Sequence, residues 1–360
     1  MILTEKLTIS FNRFINNIVF QFIFWCLSFV FYIFLVGKDN IFELYLRVTD
    51  SKSEYLIIIT ISIITAFLFS FIDVIFTDKV NRLFPIRFVL FIKSIIYFIS
   101  AFIIVVVISI PLNRLLLINN YQDLLLEFPK INMPLFRFLV YFYILCFFNG
   151  LIKEAVKKVG PSNFNSWILG LLNKPCEEER IFMFIDLKSS TTIAEKIGHK
   201  KFSHLIQDLF NDLAIVDNYD GEIYQYLGDG AIISWSLKSG IKQNKFLQSF
   251  FIFEKLIQKK HRYYKRKYNL IPQFKAGVHV GKVMVLQVGK IRRDISYNGD
   301  TMNTAARIES KCNELKSNLL ISAELYNLID NKKDFTFKSV GEIQLRGKRK
   351  AIGIYRVKLK

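Results

Sequence analysis

Thiols and imidazoles are scarce in this 360-residue chain, and their spacing excludes several chemistries at once. The four cysteines, Cys26, Cys146, Cys176 and Cys312, form no CxxC pair, and two of them fall in apolar runs. That pattern excludes a disulfide framework and a zinc–thiolate site. The four histidines show neither HxH nor HxxxH spacing, which argues against a histidine-held metal. No internal repeat and no low-complexity stretch is present. Acid is the scarcer charge: 30 Asp and Glu face 49 Lys and Arg, a net charge of +19. Of that excess, +3 falls on residues 1–152 and +16 on the remainder. A basic second half suits anionic partners, whether lipid headgroups, nucleotides or nucleic acid.

What is plentiful is apolar side chain, 52% of the residues with 36 phenylalanines, and it is concentrated early. Phe14–Val36, Tyr55–Phe76, Phe88–Ile110 and Leu135–Leu151 each read as a membrane span, the fourth reaching to Ile152. A hydrocarbon core of about 30 Å takes about 20 residues. No small-residue cleavage site follows the first run, so it reads as an anchor rather than a signal peptide. Four spans place both termini on one side. Lys6, Arg13, Lys79, Arg82, Arg87, Lys153, Lys157 and Lys158 against Lys38, Arg47, Lys52, Arg114 and Lys130 favour that side as cytoplasmic. Asp73 and Lys93 lie near the cytoplasmic ends of spans two and three, either snorkelling to the interface or forming an ion pair that responds to a signal. The outer loops are too short for a folded ligand-binding domain, so any signal is expected from within the bilayer or from an unidentified membrane ligand or partner.

Residues 153–179 read as a connector, broken at Gly160-Pro161 and Lys174-Pro175. Between the breaks, Ser162–Asn173 has helical periodicity and reads as a transmission helix or as an interfacial helix on lipid. From Arg180 the pattern is globular. Strand IFMFID precedes an amphipathic helix from about Thr191 to Val216, then a hairpin, EIYQYL–GDG–AIISW. A basic helix from about Lys242 to Lys267, strands QFKAGVHVG and KVMVLQVG, a helix from near Asp300 and short strands follow. Strand–helix–strand–strand–helix–strand is the order of a ferredoxin-like sheet, hence an α+β domain at 180–360 behind an all-α four-helix transmembrane domain at 1–152. The run Lys259–Lys267, basic and interleaved with aromatics, reads as a solvated helix end facing lipid or steering a nucleotide; no nucleic-acid partner is expected.

Asp186 closes the first strand and Asp229 sits in the hairpin turn, so the two can converge at one sheet edge. Carboxylate oxygens suit Mg²⁺ or Mn²⁺, and two such ions assist in-line phosphoryl or nucleotidyl transfer. The bland alternative is one turn aspartate and one capping aspartate. Asn303 and Arg307, four apart, share one helix face, and an amide with a guanidinium suits a ribose and developing phosphate charge.

Together these segments resemble the class III nucleotide cyclase catalytic domain over about Glu177 to Lys360. FIDLKSSTTIAEKIG resembles its first metal strand and helix, YLGDG its second metal hairpin, NGDTMNTAARIES its transition-state helix, and LRGKRKAIGIYRV its closing strands. The resemblance implies two divalent ions, Mg or Mn, on Asp186, Asp229 and the Leu187 carbonyl. It implies that Asn303 orients the ribose and Arg307 stabilises the transition state. It also implies phosphate contacts from the segment Lys188, Ser189, Ser190 and Thr191 and from Arg346 and Lys348. The family's sites are shared across a homodimer, each taking its aspartates from one subunit and its Asn/Arg pair from the other. Base choice in the family rests on positions held here by Gln225, often Lys or Glu, and Ser296, often Asp or Cys. An amide and a hydroxyl read neither base decisively. The family's bacterial membrane members favour ATP over GTP, so the expectation is a multi-pass, cell-membrane adenylate cyclase with its catalytic domain in the cytoplasm. A guanylate cyclase is the alternative, and a membrane receptor with a non-catalytic cyclase-like domain is the alternative of another class. No GGDEF-type turn supports a diguanylate cyclase.

Overall fold

The computed structural model describes residues 2–37, 54–75, 85–115, 121–159, 164, 170, 174–291, 294–344 and 351–360. The chain divides into two units, Met1–Pro161 and Ser162–Lys360.

Among the described residues the first unit forms four helices: α1 (Ile2–Val36), α2 (Glu54–Ile75), α3 (Ile86–Leu115) and α4 (Tyr121–Val159). Among the described residues two stretches, Phe14–Val36 and Phe136–Val156, are long and apolar enough to cross a membrane, and Ile58–Val74 is a shorter apolar helix. Trp25, Phe29, Phe69, Tyr97 and Phe142 pack inward; the Phe69 and Tyr97 rings stack at 4.2 Å. Leu27, Phe34, Phe67 and Phe71 stay exposed on the outer faces. Helices apolar on all sides need protein or lipid around their whole circumference. α4 runs on through Val159, past the expected start of the connector, while Ser162–Asn173 lies almost wholly outside the described residues.

Polar side chains meet at one point inside this unit. Asp73 on α2 accepts from Asn17 Nδ2 at 3.1 Å and Gln21 Nε2 at 3.3 Å on α1, and from the Tyr97 hydroxyl on α3. It also pairs with Lys93 on α3, 2.5 Å away, and with Lys153 on α4. Gln21 and Asn149 on α4 exchange hydrogen bonds beside it. Asp73 and Lys93 are found in contact as an ion pair; Lys153 is a further partner that the sequence did not single out.

The second unit is a mixed helix-and-strand domain on an eight-stranded sheet. Strand β1 (Cys176–Leu187) lies between β3 (Gly230–Ser236) and β4 (Phe274–Val288), antiparallel to both. Buried on both faces, its middle is a continuous apolar run rather than an alternating one. The sheet order is β2 (Glu222–Leu227), β3, β1, β4, β6 (Leu319–Ser322), β8 (Ile352–Leu359), β7 (Phe335–Ile343), with β5 (Asp294–Asn298) paired to the end of β4. The segment β2-β3-β1-β4 has the ferredoxin-like order. One face carries helices α6 (His199–Leu213), α8 (Lys245–Lys259) and α9 (His261–Tyr268) over a core that includes Met183, Leu209, Phe250, Phe253 and Tyr264. The other carries α10 (Asp300–Ser310), with Ala305 beside Phe182, Val283 and Tyr297.

Three elements differ from their sequence reading. The single helix expected over Thr191–Val216 is two, α5 (Ser190–Ile197) and α6, broken at Gly198 with φ 80°, and ends in a 3₁₀ turn. The long basic helix is likewise divided: α7 (Leu237–Ile241) precedes a left-handed Gln243-Asn244 corner, and α8 and α9 part at Lys260. The basic run itself is exposed, as expected of a solvated helix end, except for Tyr264, which is buried and donates to Asp212; Tyr263, Lys267 and the following Tyr268 converge on Asp208 of α6. The two strands expected on either side of Gly281 are one strand, β4. Gly281 makes no turn; a Cβ there would sit 2.7 Å from the Thr301 hydroxyl of α10. Glycine in this strand marks close approach of a helix.

Gly277 is the tighter of these approaches. A Cβ would overlap the backbone nitrogen of Glu309 and lie 2.7 Å from the Ala305 carbonyl, both backbone atoms that cannot swing aside. Gly277→Ala is therefore expected to cost about 2–3 kcal/mol as α10 is levered off β4. Calorimetric unfolding should show the domain's midpoint lowered by about 5–10 °C; a wild-type midpoint would refute the packing argument.

Candidate active site

The site begins where β1 runs out. Asp186 is the penultimate strand residue, opposite Gly230 on β3 and Lys275 on β4. The hairpin between β2 and β3 turns on Gly228, whose φ of 60° a side chain would resist, followed by Asp229. A Cβ at Gly230 would lie 2.7 Å from the Ile185 carbonyl and 3.1 Å from Asp186 Oδ1. Glycine at that position lets the turn fold close against the end of β1. Asp229, next to the Gly230 that pairs with Asp186, is thereby set beside the Asp186 carboxyl. Burial and then the charge of Asp229 push the Asp186 carboxyl above its usual range, opposed by Lys275. Two carboxylates pressed together in this way require positive charge.

Lys275 supplies some of it. Its Nζ is 3.2 Å from Asp186 Oδ2 and 2.8 Å from Glu309 Oε1 of α10. The Glu309 contact lies off the hydrogen-bond axis of Oε1, so it is an ion pair rather than a directed bond. Burial raises the Glu309 carboxyl and Lys275 opposes it; on Lys275 burial pulls downward, but the two acids outweigh it. Neither Lys275 nor Glu309 was singled out from sequence. The available signal was a lysine in the otherwise apolar run FKAGVHV.

Among the described residues no group of three or more His, Cys, Asp or Glu side chains is arranged to hold a metal ion. The donor set here is two carboxylates with strand-end backbone. That fits Mg²⁺ or Mn²⁺, which take one or two carboxylates and complete their shells with water and substrate phosphate oxygens.

After Asp186 and Leu187, Ser189 adopts the left-handed conformation, φ 54°, and α5 starts at Ser190. Ser189 and Thr191 are exposed and Ser190 is half-buried. The first-turn amides of α5 are those a helix leaves without internal partners. The Lys188 side chain is turned away from this turn, its Nζ 2.5 Å from Asn318 Oδ1.

Asn303 and Arg307 lie one turn apart on α10, the first exposed and the second half-buried. Arg307 Nη1 is buried without a hydrogen-bond partner among the described residues, and the nearest acid, Asp300, is 4.0 Å away. A guanidinium nitrogen left this way is a donor waiting for an anion. Gln225 is exposed on β2, and Ser296 on β5 donates to Asn298 Oδ1 at 3.1 Å. Although β2 and β5 are distant in the sheet order, their neighbours Tyr224 and Tyr297 meet edge-on at 4.8 Å. The sheet therefore curls and brings the two strands towards each other. Arg346 and Lys348 lie outside the described residues.

Residues 174–358 match the family model for the adenylate and guanylate cyclase catalytic domain. The chain is 32% identical over 198 residues to Adenylate cyclase 2 of Rhizobium meliloti (strain 1021), an alignment covering 54% of each. It is 24% identical over 183 residues to the Adenylate cyclase of Anabaena cylindrica, covering 49% of this chain and 36% of the other. It thus spans about half or less of the length of these relatives. Among solved structures, the adenylyl cyclase CyaB from P. aeruginosa superimposes with a TM-score of 0.46 at 20% identity, covering 52% of this chain and 97% of that one.

Proposed function

Because the chain belongs to the family of adenylate and guanylate cyclase catalytic domains, we propose that it converts ATP to 3′,5′-cyclic AMP and pyrophosphate. The convergence of Asp186 and Asp229 at one strand end is the observation that carries this reading. Their carboxylates, with the Leu187 carbonyl, would hold two divalent ions. Bound there, such ions lower the pKa of the attacking hydroxyl and neutralise phosphate charge.

The chain's own residues do the rest. In the reaction the 3′-oxygen bonds to the α-phosphorus as the α–β bridging P–O bond breaks, and pyrophosphate leaves. The hydroxyl proton passes to solvent, for no dedicated side-chain base is evident among the described residues. Arg307 Nη1, without a hydrogen bond among the described residues, donates to the α-phosphoryl oxygens as their charge grows, and Asn303 orients the ribose. First-turn amides of α5, from Ser189 to Thr191, face the triphosphate, with Arg346 and Lys348 adding charge; Lys188, held on Asn318, contributes only its backbone. Gln225 and Ser296 contact the base; each can donate or accept, as adenine requires. Two chains assemble as a homodimer, one supplying the aspartates and the other the α10 pair at each site. The helical unit anchors this assembly in the cell membrane with the catalytic domain in the cytoplasm.

The test is turnover of the full chain in membrane vesicles with Mn²⁺ and either ATP or GTP, resolving both cyclic products. Cyclic AMP alone is the expected result. Cyclic GMP alone would keep the mechanism and replace the substrate, and no product from either would discard the enzymatic reading for a receptor.

A further inference from the structure

The least expected feature of the site is the ammonium group inside it. Lys275 and Gly277 share one face of β4, and the missing side chain at Gly277 lets α10 lie so close that Glu309 reaches Lys275. The Lys275 and Glu309 side chains are nearly buried, at 12% and 15% exposure, whereas that of Asp186 is 32% exposed. Two acids, Asp186 and Glu309, thus flank one cation, and Asp229 follows in the turn beside Asp186. Resting on the assignment of Asp186 as a metal ligand, we propose that Lys275 is the resident counter-ion of that ligand, with Glu309 as the partner that retains it when the metal binds. In the empty site Lys275 bridges Asp186 and Glu309; when a divalent ion arrives, repulsion drives it off Asp186 and leaves it on Glu309. The exchange needs no buried charge to lose its partner, which would otherwise be costly.

Lys275 and Glu309 then act on metal affinity in opposite directions, although they form one ion pair. Lys275→Met removes a competitor for Asp186 and is expected to tighten Mn²⁺ binding about tenfold. Glu309→Gln commits Lys275 to Asp186 and is expected to weaken it about tenfold, since a unit charge some 4 Å away at a partly exposed site carries at least that much. A purely structural strut would instead shift both variants the same way, through loss of order at α10 and β4.

The measurement is Mn²⁺ binding to the full chain in detergent, without nucleotide, by titration calorimetry and by the paramagnetic resonance signal of free Mn²⁺. Opposite shifts establish the exchange. Shifts of the same sign, or both within twofold of wild type, overturn it. Glu309→Gln preserves shape and decides alone if Lys275→Met does not fold: weaker binding supports the exchange, while unchanged or tighter binding refutes it. Asp186→Asn separates this inference from the reading beneath it. If that variant still binds Mn²⁺ like wild type, the metal-ligand assignment itself is wrong.

Discussion

Asp186→Ala is expected to lower cyclic-nucleotide turnover by about a thousandfold or more, with Asp229→Ala close behind. Metal ions contribute several kcal/mol to transition-state charge stabilisation, and each 1.36 kcal/mol is a factor of ten. Asp186 is the more sensitive of the two because its position is fixed from three sides: β3 through Gly230, β4 through Lys275, and the strand itself. Asp186→Asn should lose nearly as much while keeping the strand end intact, which separates chemistry from folding. The measurement is single-turnover product formation at saturating Mn²⁺; turnover near wild type in either variant would end the two-aspartate reading. Arg307→Ala should be comparably inactive by itself. Mixed with Asp186→Ala, however, it should recover about a quarter of wild-type activity, since half the dimers are mixed and each of those regains one complete site of two. No recovery on mixing would remove the shared-site arrangement while leaving the metal assignment standing.

The sequence exposes features whose cause is local. Ile181–Asp186 reads as a strand because both of its faces are buried, and the hairpin reads from Gly228-Asp229-Gly230 because turn chemistry is short-range. The start of α10 at Asp300 is equally plain. What stays hidden depends on distant approach. Gly281 looks like a turn residue and is instead the space into which Thr301 fits, so one strand reads as two. Gly198 breaks a helix whose apolar periodicity continues across it. The Lys275–Glu309 pair needs Gly277 to bring the helix down, and no spacing rule links residues 34 apart in this way. Likewise Asp73 and Lys93 were visible as two charges in apolar runs, but Lys153 belongs with them only once α4 has packed.

That last cluster carries the largest expected effect in the helical unit. Asp73 is one carboxylate serving five donors from the other three helices, more than its lone pairs hold at full strength. Asp73→Ala leaves Lys93 and Lys153 without their counter-charge in an apolar setting and is expected to cost about 3 kcal/mol. Breaking a buried pair costs 3–5 kcal/mol in general, and snorkelling of the freed lysines recovers part of it. The readout is the denaturation midpoint of the full chain in detergent under increasing SDS. Lys93→Ala should cost less, because Lys153, Tyr97, Asn17 and Gln21 still satisfy the carboxylate. Exchanging the charges, Asp73→Lys with Lys93→Asp, should recover part of the loss, since the pair survives while only the Lys153 contact is reversed. If Asp73→Ala falls within about 0.5 kcal/mol of wild type, the two charges merely snorkel. A large loss without recovery on exchange would instead place the weight of the node on Lys153, the last of these partners along the chain before the catalytic unit. Cyclase turnover of Lys153→Ala, set beside that of Lys93→Ala, would then show whether the α4 arm of the node bears on catalytic output.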